Sequence, residues 1–81
     1  MGPREVLNKL KWHPDFELND ADITILHRGA PGDRRTIQGE DILDLGKGFM
    51  IVRRGREEVK IPYHRVLKIN TPAETVWQET G

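Results

Sequence analysis

The chain contains no cysteine. That removes disulfide frameworks, thiol nucleophiles and zinc-thiolate sites, which account for many domains of this size. Aromatic residues are few: two Trp, one Tyr and two Phe. No apolar run approaches the roughly 20 residues of a membrane-spanning helix. The opening Met1-Gly2-Pro3-Arg4-Glu5 lacks the apolar stretch of a signal peptide, so a cytoplasmic location with no membrane partner is expected. Net charge is absent too, since 13 Lys and Arg balance 13 Asp and Glu. Long-range steering of a polyanion by the whole domain is therefore excluded.

What remains is a polar but foldable chain. Its 81 residues are 36% hydrophobic and 32% charged, a balance too apolar for disorder. One domain, 1–81, is expected, burying about 60–65% of the unfolded surface. Such a core is small, and a deep, enclosed substrate cavity is not expected. The charges are unevenly placed. Asp15, Glu17, Asp20 and Asp22 form an acidic stretch without a base, whereas Lys47, Arg53, Arg54, Arg56, Lys60, Arg65 and Lys68 face only Glu57 and Glu58. A basic half can contact a polyanion locally, with modest affinity.

Punctuation sets the organisation. Pro3 fits a first helical turn, and Val6, Leu7 and Leu10 make an apolar stripe that His13-Pro14 ends, because the residue before proline is pushed out of helical conformation. An acidic loop follows. Ile23-Thr24-Ile25-Leu26-His27 and Arg35-Thr36-Ile37-Gln38 then read as a hairpin around a proline-glycine turn. The segment from Gly39 to Gly46 is compatible with one helical turn or a tight connection. Phe49 to Arg53 and Glu57 to Ile61 flank the loop Arg54-Gly55-Arg56, a second hairpin. Pro62 interrupts its second strand, since proline cannot donate to a ladder, and Val66 to Ile69 resumes as the next one. Thr71-Pro72-Ala73-Glu74 fits a helix capping box, whereas Thr75-Val76-Trp77 favours a strand by composition; a final strand folded back onto Val66 to Asn70 is expected. The fold class expected is α+β: an N-terminal helix packed on a small antiparallel sheet of five or six strands, curled towards a barrel. Ile23, Ile25, Ile51, Val59, Leu67 and Ile69 are the expected core, with Trp12 joining it at the helix end.

Two segments carry chemistry. His27-Arg28-Gly29-Ala30-Pro31-Gly32-Asp33 and Ile61-Pro62-Tyr63-His64-Arg65 each put a histidine beside an arginine at an element boundary. Arginine offers a planar fork of donors that matches phosphate oxygens, and histidine donates, accepts or stacks near neutral pH. Pro31 and Gly32 suit a type II turn, which would leave nearby amides free to face an anion. Side chains alternate along a strand, so both members of a pair reach one ligand only where the strand has ended. Gly29 and Pro62 place the pairs at such ends.

Plainer roles compete for each residue. His27 fits an edge-strand histidine, and Asp33 fits a brace for its own turn. Arg28 or Arg65 could pair with Asp33. Tyr63 is evenly balanced between core packing and stacking on a base. His13, Arg53, Arg54 and Arg56 rank as secondary phosphate contacts, the arginines more usually a solvated hairpin tip. His13, His27 and His64 match no compact metal-ligand spacing, and two adjoin an arginine whose charge opposes a cation, so no metal or other cofactor is expected.

Across nearly the whole chain the sequence resembles a small, mostly archaeal family proposed to recognise RNA ends carrying cyclic phosphate. The resemblance rests on Pro3-Arg4 with Val6-Leu7 and Leu10, Trp12-His13-Pro14, the two His-Arg segments, Gly48-Phe49 and Val76-Trp77. It implies a binding domain for RNA ends that works beside an RNA-processing enzyme, here expected as a separate chain. On that reading Arg28 and Arg65 hold phosphate oxygens and His27 and His64 contact ribose or phosphate. Gly29, Ala30, Gly32 and Asp33 line the anion, and Tyr63 stacks on the terminal base. Two other function classes fit the residues. A metal-independent phosphodiesterase would use the histidines as acid and base, with an arginine neutralising the phosphate. A protein-interaction module would use the acidic stretch.

Overall fold

The computed structural model describes residues 2–13 and 17–79. Pro14 and Asp15, assigned above to the helix stop and the acidic stretch, lie outside the described residues. Helix α1 spans Pro3–Trp12. Pro3 opens it, where a missing N–H leaves no bond unmade, and the Glu5 carboxylate accepts from the Gly2 amide at 3.0 Å. Val6, Leu7 and Leu10 are its buried stripe. His13 leaves the helix in an extended conformation, φ −80 and ψ 130, as a residue preceding proline should.

Seven strands follow: β1 (Asp22–Leu26), β2 (Arg34–Gln38), β3 (Ile42–Leu45), β4 (Phe49–Arg54), β5 (Glu57–Pro62), β6 (Val66–Asn70) and β7 (Thr75–Gln78). They form a four-stranded sheet in the order β2-β1-β6-β7 and a three-stranded sheet β3-β4-β5, antiparallel throughout. The class is α+β. The single sheet of five or six strands is corrected to seven strands in two sheets, and no barrel closes among the described residues. The break falls at Pro62, where β5 ends and a 3-10 turn, Tyr63–Arg65, carries the chain into the other sheet. The additional strand is β3. The segment from Gly39 holds both a 3-10 turn, Gly39–Asp41, and β3, whose alternation is masked by a bulge between Ile42 and Asp44.

Both hairpins and the C-terminal strand form where punctuation places them. The second hairpin is tighter than expected. Arg54 pairs with Glu57, leaving the two-residue loop Gly55-Arg56 with Gly55 at φ 63, as the primed turns of short hairpins require.

The core joins α1 to both sheets, with Leu7, Ile23, Met50, Val66 and Ile69 fully buried. Ile23, Ile25 and Ile69 are core as expected, but Ile51, Val59 and Leu67 are only half-buried. In β6 the cause is a bulge. Thr24 faces Lys68 and Ile25 faces Val66, so Leu67 is the extra residue and both Val66 and Ile69 turn inward. In β4 the run Phe49-Met50-Ile51-Val52 has no polar residue to mark a face, and Met50 and Val52 take the inside. Trp12 is corrected outright, being 74% exposed. It lies about 200° around the helix from Leu10, off the apolar stripe, and the Lys11 ammonium sits 5.0 Å from its ring centroid. No helix among the described residues is long and apolar enough to cross a membrane.

Candidate functional site

The β1/β6 ladder builds the site. Ile25 is paired with Val66, so the end of β1 lies beside the start of β6. Chain continuity then places His27 and Arg28 just past one strand, next to His64 and Arg65 in the turn just before the other. The two segments, distant in sequence, line one cavity of about 530 Å³ together with Leu26. Both pairs therefore converge on one surface, and strand ends allow it, as alternation requires.

His27 is half-buried, whereas Arg28, His64 and Arg65 are exposed. Among the described residues the side chains of Arg28, His64 and Arg65 make no hydrogen bond or ion pair, and no acidic side chain lines this cavity. Neither arginine pairs with Asp33. Two unpaired guanidinium groups with two imidazoles leave donors directed to solvent, a setting for a bidentate anion.

The loop before β2 differs from expectation. Gly32, at φ 66 and ψ 15, adopts the positive φ of a type II turn, and Asp33 follows at φ 55. Its amides, however, are largely used internally. The Asp33 amide donates to Ala30 O at 2.8 Å and the Ala30 amide to His27 O at 3.2 Å, while the His27 amide donates to Asp33 O at 2.8 Å. The Gly29 amide donates to Asp33 Oδ1 at 3.3 Å. Gly29, Ala30 and Asp33 therefore hold the turn that aims His27 and Arg28, instead of offering amides to an anion, and Asp33 is the brace.

Tyr63 is corrected from the base-stacking role to the core. The residue is 8% exposed and its hydroxyl donates to Gly46 O at 2.7 Å, a carbonyl that also accepts from Arg4 Nε at 3.1 Å. Burial, and secondarily the Asp44 carboxylate, push the Tyr63 phenol above its ordinary pKa, with Arg4 opposing. His13 sits at the end of α1 and lines neither this cavity nor its neighbour. Arg56 occupies the hairpin tip. Arg53 and Arg54 line the neighbouring cavity, of about 240 Å³, where Arg53 pairs with Asp41 at 3.3 Å.

That second cavity was not foreseen. It shares His27 and Arg65 with the first and adds Arg35, Gln38 and Asp41 over an apolar floor. No local motif marks it, because its walls come from both sheets. Among the described residues no group of three or more His, Asp or Glu side chains could hold a metal ion.

Fold and site define a small α+β domain with an open cationic cleft at the junction of two sheets. The chain belongs to the family described as the MJ1316 RNA cyclic group end recognition domain, whose model matches residues 1–79. It is 38% identical over 66 residues to a UPF0248 protein of Methanococcus maripaludis strain C7, covering 82% of this chain and 80% of that protein. The UPF0248 protein of Methanocaldococcus jannaschii is also 38% identical over 66 residues, 82% of this chain and 76% of that one. A UPF0248 protein of Thermococcus kodakarensis is 36% identical over 76 residues, 93% and 88% respectively. No solved structure matches the chain.

Proposed function

We propose that this domain binds RNA ends carrying a phosphate or cyclic phosphate in the cleft between its two His-Arg segments, in support of RNA processing or repair by a separate enzyme. The observation that carries the reading is the convergence of His27, Arg28, His64 and Arg65 on one cavity, with Arg28, His64 and Arg65 unpartnered among the described residues. The family's name supports the same ligand class. Arg28 and Arg65 grip phosphate oxygens with charge-assisted bonds. His27 and His64 contact the phosphate or ribose, and the Gly29 to Asp33 turn fixes their approach.

The test compares short RNAs that differ only at the end: cyclic phosphate, linear phosphate or hydroxyl. A linear phosphate monoester carries about −1.5 to −2 charges at neutral pH, more than the single charge of a cyclic diester, so a site working by charge alone would prefer the linear end. Binding of the cyclic end at least as tightly as the linear one, with the hydroxyl end clearly weaker, is expected. Equal affinity for all three would refute end recognition.

A further inference from the structure

The smaller cavity gives the end-binding site a second half. It opens between the sheets, with Ile25 and Ile37 supplied by one and Val52, Val59 and Ile61 by the other. A planar ring entering there meets aliphatic side chains from both sheets, all but Val59 buried to solvent. The cavity's polar rim includes Arg35, on the same face of β2 as Ile37, and the Arg53–Asp41 pair, which bring guanidinium and carboxylate groups to the edge of a ring. At about 240 Å³ it falls below the about 300–1,000 Å³ of a drug-sized site, and suits one small ring system. His27 and Arg65 line both it and the cationic cleft, so the two spaces adjoin.

We propose that this cavity receives the nucleobase of the terminal nucleotide whose phosphate lies between the two His-Arg segments, an inference that rests on the RNA-end reading above. Apolar faces with a polar edge are the chemistry of a nucleobase, and unstacked bases are commonly held between apolar side chains while their edges are hydrogen-bonded. Tyr63, the aromatic expected as a stacking platform, is committed to the core. The base is held instead by β-branched side chains in the gap between the sheets, and the ribose spans from His27 and Arg65 into it.

The test uses the wild-type protein and two small ligands, adenosine 2′,3′-cyclic phosphate and ribose 2′,3′-cyclic phosphate without a base, titrated calorimetrically and by methyl NMR. The nucleotide is expected to bind about tenfold tighter or more, as base stacking contributes elsewhere, and to shift the methyl signals of Ile25, Val52 and Val59 that the base-free ligand leaves in place. Equal affinity for the two ligands overturns the base site while leaving phosphate recognition standing; binding of neither overturns both. Val59→Phe, at a half-buried wall position, is expected to lower nucleotide affinity to the base-free level without changing the base-free affinity. A folded Val59→Phe protein with undiminished nucleotide binding also overturns the base site, and the wild-type comparison decides the question if the variant fails to fold.

Discussion

Arg65→Ala is the most informative perturbation, because Arg65 lines both cavities. The side chain is exposed and, among the described residues, makes no hydrogen bond or ion pair. Its removal should therefore change folding stability by no more than about 0.5 kcal/mol. Binding is another matter. Charge-assisted hydrogen bonds to a phosphate contribute about 1.5–3 kcal/mol, which at about 1.4 kcal/mol per tenfold is a loss of roughly 10–150-fold in affinity for a cyclic-phosphate RNA. Arg28→Ala should fall in the same range. Arg65→Lys should lie between, keeping the charge but losing the planar fork. Arg56→Ala, at the hairpin tip outside both cavities, should cost under about threefold and act mainly by reducing the salt dependence. Fluorescence anisotropy at one fixed salt concentration measures the series, with denaturation curves confirming that each variant folds. Equal weakening by Arg28, Arg56 and Arg65 variants would show diffuse electrostatic contact and refute the specific cleft.

Other outcomes follow from the same geometry. A Cβ on Gly39 would overlap the Leu18 carbonyl oxygen, and the Gly39 amide donates to Ala21 O at 2.8 Å. Gly39→Ala should thus destabilise by about 2–4 kcal/mol, overpacking plus a strained hydrogen bond; a loss below about 0.5 kcal/mol in urea unfolding would contradict the close approach. Tyr63→Phe should lose about 0.5–1.5 kcal/mol at neutral pH, since the Gly46 carbonyl still accepts from Arg4. Because the folded state raises the Tyr63 pKa, it holds the phenolic proton more tightly than the unfolded chain. That stabilisation is complete below about pH 10 and declines as pH rises through the folded value. Tyr63→Phe should make unfolding free energy less sensitive to pH in the alkaline range, and an unchanged slope would count against the burial. His27→Ala and His64→Ala should weaken RNA-end binding severalfold, while wild-type protein leaves a cyclic phosphate intact over long incubation. Metal-free ring opening with a bell-shaped pH profile, lost in both variants, would instead establish a phosphodiesterase.

The local grammar of the chain was readable, and so was much of the fold. Pro3 and His13 bracket α1, the Pro31-Gly32 and Gly55 turns join the expected hairpins, and Pro62 ends β5. Errors collect where a strand leaves strict alternation. The bulge at Leu67 sends two residues of β6 inward that period-two reading places on opposite faces, and the bulge between Ile42 and Asp44 hides β3. Both irregularities are defined by the partner strand, so neither has a signature in its own segment. Trp12 failed for a different reason. Its size suggested burial, but its angular position on the helix, which the stripe Val6, Leu7 and Leu10 already specified, puts it outside.

The site divides along the same line. Each His-Arg pair is visible as a local pattern, and strand alternation shows that both members can act together only beyond the ladder. Their meeting depends on the register Ile25 to Val66, a long-range pairing that no local pattern states. The second cavity lies further still from the sequence, because it exists only where β1 and β2 stand opposite β4 and β5. Its floor consists of residues that read as ordinary core, and three of its apolar members, Ile25, Val59 and Ile61, are alternating positions on strands that carry no other functional signal. A cavity between two sheets borders such core side chains without leaving any mark in the strands that carry them. The opening of the sheet at Pro62, which defeats a closed barrel, is thus also what permits a cavity beside the cationic cleft, with Arg65 three residues later on the wall they share.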